Sequence, residues 1–264
     1  MMSDKEVVHG TNPAKLSAKA LRHRVVAVAS VKGGIGKSTC SLLLARSLAC
    51  SGYKVLLIDA DPQASITSYL LPDEDPSITA KSCGYHLLTE RLDLMDVVRV
   101  DVVVPGLDLV PAARVMSKVE GELAGDPGAV LGFRERIMAG NHDVIIIDCP
   151  PALGTIFRAA LYAASLVIAP VQPDAWAMTG LDLLSAEVTR VRKHTGRFLD
   201  ILAVPSICSP ADAERVRVML PPDVVASETV IPKNASVRRA FLRGSLPSSV
   251  VTNAIDALAL EVLK

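Results

Sequence analysis

Residues 32–39 read Lys-Gly-Gly-Ile-Gly-Lys-Ser-Thr. Small residues between two cations, followed at once by two hydroxyls, form a set suited to holding phosphate. The backbone N–H groups of Gly33, Gly34, Ile35, Gly36 and Lys37 can line a nest for phosphate oxygens, and a helix starting there adds its positive end. In such a loop Lys37 would reach the β- and γ-phosphates of a nucleotide. The Ser38 hydroxyl would coordinate Mg²⁺, and Thr39 would lie near the α-phosphate. The usual spacing G-x-x-x-x-G-K-[ST] is not kept, because Val31 stands where the first glycine belongs and Lys32 adds a second lysine beside it. Two carboxylates belong with this loop. An apolar run ends on Asp59 and continues as Ala60-Asp61-Pro62-Gln63, and another ends on Asp148 before Cys149-Pro150-Pro151. A buried strand that ends in Asp at the carboxyl edge of a sheet sets a carboxylate beside the phosphate loop, where it can hold a water of Mg²⁺. The plainer role for each is to cap the following helix. Two such strands flanking one loop favour the metal role. Cys149 has no neighbouring base and reads as filler behind the loop rather than as a nucleophile.

Those groups need a scaffold that brings strand ends together. Short apolar, β-branched runs recur at 25–30, 55–59, 107–111, 144–148, 166–170, 201–205 and 229–231. Near-continuous apolar runs are the mark of strands buried on both faces. Helical stretches are expected between them, at 38–51, 114–124, 131–139, 156–164, 181–194, 211–220, 237–242 and 250–263. The alternation predicts an α/β fold, a single domain over 24–264 with a mostly parallel twisted sheet and helices on both faces. Residues 71–104, punctuated by Pro72, Pro76 and Gly84, give no regular pattern. Residues 1–23 hold no apolar segment of a secretory signal and read as a short basic tail.

The chain has 264 residues, half of them apolar, which is enough for one large core. Its 28 basic and 28 acidic side chains cancel, so attraction to DNA or anionic lipid must come from a local patch. Five cysteines without a C-x-x-C pair argue for free thiols in a cytoplasmic protein. No run of 18 apolar residues is present to span a membrane.

Taken together, the motifs carry a resemblance. Lys32–Thr39 resembles the deviant Walker A box of the ParA/MinD group of P-loop ATPases. Asp59–Gln63 is similar to that family's second box, and the D-x-D-P-Q form points to the ParA branch. Asp148–Gly154 resembles its Walker B and switch II segment. Ile168–Leu181 and Thr229–Pro247 resemble its later boxes, and all stand in the family's order over about 24–264. The resemblance implies a P-loop NTPase fold, ATP and Mg²⁺ as ligands, and ATP hydrolysis that is weak alone and stimulated by a partner. It implies that Lys32 reaches across a homodimer, formed in the ATP state, to the phosphates of the partner's ATP. Asp61 would polarise the attacking water beside the metal, Asp148 would hold Mg²⁺ through water, and Pro205 and Pro232 would lie near the adenine. Arg158, Ala159 and Arg239 depart from the family's pattern, at positions that do not bear on the nucleotide.

The family's occupation in the ParA branch is DNA segregation, in which an ATP-bound dimer holds nonspecific double-stranded DNA and a ParB-like centromere-binding protein releases it, which would place the chain at the nucleoid. The alternatives are the same engine moving a protein cargo through an adaptor, a MinD-like membrane regulator, and an iron–sulfur reductase. The C-terminal 15 residues carry two acids and one lysine, which reads as a packed helix rather than a basic membrane anchor. The cysteines lack the paired context of a cluster. Two acid-free basic stretches could meet DNA phosphates: Arg190, Arg192, Lys193 and Arg197 in one, and Lys233, Arg238, Arg239 and Arg243 in the other. The bland alternative is a pair of solvated helix faces.

Overall fold

Five-residue runs such as Val-Ile-Ile-Ile-Asp and Val-Leu-Leu-Ile-Asp bury every residue they contain, and that requires cover on both sides. The computed structural model describes residues 24–264 except Gly244 and Leu246, and of Ala175, Trp176, Arg238, Phe241, Leu242 and Arg243 only the backbone. The expected tail, 1–23, lies outside the described residues. In chain order the elements are β1 (Arg24–Val28), α1 (Lys37–Cys50), β2 (Val55–Asp59), α2 (Ser65–Leu70), α3 (Pro76–Lys81), α4 (Gly84–Leu88), α5 (Leu94–Val97), β3 (Leu107–Val110), a 3₁₀ turn (Arg114–Lys118), α6 (Val119–Glu122), α7 (Pro127–Met138), β4 (Val144–Asp148), α8 (Thr155–Ala163), β5 (Leu166–Val171), α9 (Ala175–Thr195), β6 (Asp200–Cys208), α10 (Pro210–Met219), β7 (Val225–Ala226), β8 (Ile231–Pro232), α11 (Ala235–Arg243) and α12 (Ser249–Val262).

The strands form one sheet in the order β3-β2-β4-β1-β5-β6-β7, with β8 paired to β6. Every pairing between these strands is parallel, so the carboxyl ends of β1, β2 and β4 lie along one edge. Two cores follow, one on each face. Val25, Ala27, Leu56, Ile58, Ile145 and Ile147 pack beneath α7, α8 and α9, and Val26, Val28, Leu57, Val144 and Ile146 pack beneath α1 and α12. The alternation along each strand assigns successive side chains to opposite layers.

Several stretches differ from the sequence expectation: α2 was not expected, and α7 and α9 begin at Pro127 and Ala175, ahead of the expected 131 and 181. Residues 71–104, with no regular pattern, fold into three short helices, α3 to α5. The first is capped by Asp75 through Ser77 N and starts on Pro76. The helix expected over 114–124 begins as a 3₁₀ turn and ends at Glu122, with Gly125 in the left-handed region two residues beyond Leu123. The last expected strand, 229–231, is displaced to Ile231–Pro232, and Val225–Ala226 forms a further edge strand that the sequence did not announce. All five cysteines are free thiols, and all but Cys50 are buried.

Candidate nucleotide site

β1 is the central strand of the site, with β4 on one side and β5 on the other. Its exit turns through Gly33–Gly36 into α1, as the motif requires. Gly34 has φ of 74° and Gly36 of 89°, a conformation that a residue with a Cβ adopts only under strain. Val31, in the place of the usual first glycine, packs toward α9, where a Cβ on Gly180 would lie 3.7 Å from its own.

Lys37 is buried and donates to the carbonyl of Lys32 at 2.9 Å, so its ammonium folds back over the loop's hollow. Burial holds its pKa below the ordinary lysine value, against the pull of Asp148. Asp59 and Asp148 are register partners at the ends of adjacent strands, and both are buried. Their surroundings separate their roles. The Asp59 Oδ2 accepts from Thr67 N at 2.8 Å and Thr67 Oγ1 at 2.7 Å, and the same hydroxyl accepts from Ala112 N at 2.8 Å. Burial pushes Asp59 up to about 6. This carboxylate is consumed in folding the 60–67 loop. Asp148 accepts from Ser41 Oγ at 2.9 Å on Oδ1, the Ser38 hydroxyl lies against the same carboxylate, and Oδ2 is buried without a hydrogen-bond partner. Burial, with the Asp59 charge adding, pushes Asp148 up to about 7 against these hydroxyls and Lys37. A desolvated carboxylate with a spare oxygen next to a serine hydroxyl is a site that gains from a hard cation. Ser41 belongs to this arrangement by its position one turn beyond Lys37, whose carbonyl its hydroxyl also reaches at 3.0 Å.

Asp61 sits at the mouth, half-buried. Its Oδ1 accepts from Gln63 N at 2.9 Å, and its own N–H points at Asp59. Lys32 does not join Lys37. Its ammonium makes an ion pair with Asp174 Oδ2 at 2.5 Å and also reaches Gln172 Oε1 at 3.3 Å. Asp174 caps α9 through Ala177 N. Cys149 is buried behind the loop, and burial raises its thiol well above the ordinary range, which suits filler and not a nucleophile.

A cavity of about 250 Å³ adjoins the loop, walled by Gly36, Thr39, Ser206, Ile207, Pro232 and Val237. Pro232 lines it. Pro205 lies one residue back, buried in β6 opposite Val171, and the wall on that side is Ser206 and Ile207. Ile207 has φ of 55°, and the β6–β8 ladder shifts register there. The left-handed residue turns its Cδ1 to within 3.5 Å of where a Cβ on Gly36 would be, closing the seam between loop and cavity.

The basic positions are divided. Lys193 and Arg239 are exposed, as is Arg190, which pairs with Glu187 at 2.8 Å. Arg192 is half-buried, with Nε donating to the Leu199 carbonyl at 2.9 Å. Arg197 donates to the carbonyls of Tyr162 and Ala164. The side chains of Arg238 and Arg243 lie outside the described residues. No helix among the described residues is long and apolar enough to cross a membrane.

Residues 23–201 match a family model described as an AAA domain. The chain is 36% identical over 183 residues to the sporulation initiation inhibitor protein Soj of Bacillus subtilis, covering 69% of this chain and 71% of that one. It is 34% identical over 251 residues to the chromosome-partitioning ATPase Soj of Thermus thermophilus, covering 91% and 95%. Among solved structures, cobyrinic acid a,c-diamide synthase from Mycobacterium smegmatis, with bound ADP and magnesium, superposes with a TM-score of 0.75 at 25% identity over 91% of this chain and 94% of the other. With a two-lysine phosphate loop at the carboxyl edge of a parallel sheet and relatives of this length and identity, the chain belongs to the ParA/MinD family of P-loop ATPases, in its Soj-like branch.

Proposed function

We propose that this chain is a partition ATPase: it binds ATP and Mg²⁺ in the loop of residues 32–39, dimerises around two nucleotides, holds double-stranded DNA without reading its sequence, and is released by a ParB-like partner that stimulates hydrolysis. The observation that carries this reading is the separation of the two lysines. Lys37 lies inside its own loop, whereas Lys32 is held outside it on Asp174 and Gln172. A cation held at the rim is placed to meet phosphates brought by a second copy. A triphosphate bears close to four charges, so a second cation lowers the repulsion between two facing sites.

Ser38 and, through water, Asp148 would hold Mg²⁺, which when bound neutralises phosphate charge and orients the β- and γ-oxygens. The free oxygen of Asp148 fits that use. Asp61 at the mouth orients the attacking water. The apolar cavity at Pro232 takes the base. DNA is met through exposed Arg190, Lys193, Lys233 and Arg239, with Arg192, Arg238 and Arg243 on the same two segments, by contacts to phosphates. Such a protein works in the cytoplasm at the nucleoid.

Lys32→Gln tests the reading. It removes the rim cation and leaves Lys37 and the nest. Light scattering with ATP and Mg²⁺ is expected to show a dimer for the wild type and a monomer for the variant, with nucleotide affinity changed by less than about tenfold. A normal ATP dimer from Lys32→Gln would refute the cross-dimer role.

A further inference from the structure

Between Asp148 and α8 runs the loop 149–154, Cys-Pro-Pro-Ala-Leu-Gly. Its first end is fixed by the sheet: Cys149 N donates to the Val28 carbonyl at 3.1 Å, and Ala60 N to the Asp148 carbonyl at 3.0 Å. Its far end is the N-terminus of α8, whose cap residue Gly154 offers no side chain. The missing cap comes from elsewhere in the chain. The Glu120 carboxylate, on α6, accepts from Thr155 N at 2.7 Å and Ile156 N at 3.4 Å. The fit is close enough that a Cβ on Gly154 would collide with that carboxylate. Gly154 has φ of −95°, so its backbone does not demand glycine, and the three atoms nearest such a Cβ all belong to the Glu120 carboxylate, which would have to move aside.

α8 is held at its other end as well. Arg134 donates to the Ala163 carbonyl, and Arg197 to those of Tyr162 and Ala164 at 3.0 and 2.7 Å. An acid at the amino end and two guanidinium groups at the carboxyl end complement the helix dipole and fix α8 along its axis. α6 is itself anchored. Glu122, two residues on, takes the Tyr85 hydroxyl at 2.8 and 2.7 Å and Arg91 at 3.2 Å. The segment 114–122 thus ties the short helices of 76–97 to the loop beside the metal carboxylate.

We infer that Glu120 is a positioning residue for ATP hydrolysis: by capping α8 from outside it sets the conformation of the 149–154 loop that follows Asp148. The inference rests on the ATPase reading above. Two prolines leave that loop little freedom, so a shift of its far end carries toward the phosphate edge. Losing the cap changes the geometry of the hydrolytic step and leaves the phosphate nest of residues 33–37 unchanged, because Glu120 touches Thr155 and Ile156 and not that loop.

The test uses Glu120→Ala, Glu120→Gln, Gly154→Ala and the double variant Glu120→Ala/Gly154→Ala in the full chain, assayed for steady-state ATPase and ATP affinity well below each melting temperature. The expected result is a kcat lowered about 10- to 100-fold in Glu120→Ala with KM within about twofold, as for a misplaced group in a rigid site. Glu120→Gln, which keeps an acceptor for Thr155 N–H, recovers most of the rate. Gly154→Ala displaces Glu120 and loses the rate similarly, and the double variant is no slower than either single one. A kcat for Glu120→Ala within about twofold of wild type, or additive losses in the double variant, overturns the inference. So does a loss that Glu120→Gln does not rescue. A wild-type protein that binds no ATP would instead refute the ATPase reading itself, and the inference with it.

Discussion

Asp148→Asn probes the electrostatics of the site without disturbing its shape. Asp148 is 1% exposed, and its pKa is raised from 3.8 to about 7. Because the folded pKa lies above the unfolded one, the native state retains a proton that the unfolded chain loses between about pH 4 and 7. Native stability therefore falls as pH rises through that window, and the penalty is complete above it. Each tenfold difference in proton affinity is about 1.4 kcal/mol, so the buried charge costs about 4 kcal/mol at pH 8 and under about 1 kcal/mol at pH 4. Asparagine carries no charge, and its amide can still meet Ser41. In the absence of nucleotide and Mg²⁺, urea denaturation of Asp148→Asn is expected to show a gain of about 2–4 kcal/mol at pH 8 and almost none at pH 4. Saturating ATP and Mg²⁺ should reverse the order, because the wild-type carboxylate then meets a cation. A variant no more stable than wild type at pH 8, or equally stabilised at both pH values, would refute the claim that burial of Asp148 outweighs the relief given by Ser38, Ser41 and Lys37.

Three further outcomes are expected. Asp61→Ala should lower ATP turnover about 10²- to 10⁴-fold in a coupled assay, with the ATP dimer persisting in gel filtration. Thr67→Val removes the hydroxyl between Asp59 and Ala112, leaves a buried N–H without its acceptor, and should lower stability by about 1–3 kcal/mol in thermal or urea melts. Lys193→Ala with Arg239→Ala should weaken DNA binding equally for all sequences and lessen the slope of log K against log salt by about 0.9 for each phosphate no longer neutralised, measured by fluorescence titration with dimerisation checked in parallel.

The strands were legible because a strand covered on both faces must be apolar at every position, and 55–59 and 144–148 were placed to the residue. The glycine turn from β1 into α1 was legible because Gly34 and Gly36 take the left-handed conformation that glycine alone adopts freely. What escaped was set by partners far away in sequence. Nothing near Asp174 announces that it meets Lys32, 142 positions earlier, and nothing near Glu120 announces α8. Asp59 and Asp148 look alike as strand-end acids. Only the reach of Thr67 separates Asp59, spent on its loop, from Asp148, which keeps one oxygen without a partner. The left-handed Ile207 breaks the rule that β-branched residues avoid that conformation, and no sequence rule could have put it there. The short helices of 76–97 hold too few turns to show a period, although Asp75-Pro76 did carry a cap and a start.

The place of β1 in the sheet has a consequence for how the chain is made. It precedes every other described strand, yet its neighbours are β4 and β5, so Arg24 finds its β4 partner only when Val144 has been added, and Val26 its β5 partner only when Leu166 has. At ribosomal speeds the edges of the central strand wait roughly 10 s for their partners, with α1, next in the chain, able to cover only the face of Val26 and Val28. The cavity beside the loop cannot form in the early chain either, since its walls at Ser206 and Pro232 arrive later still. Folding is therefore a late closure around an early strand, slowed by pairings that are distant in sequence. C-terminal truncation short of β6 would leave β5, and through it β1 and the glycine loop, with an open edge.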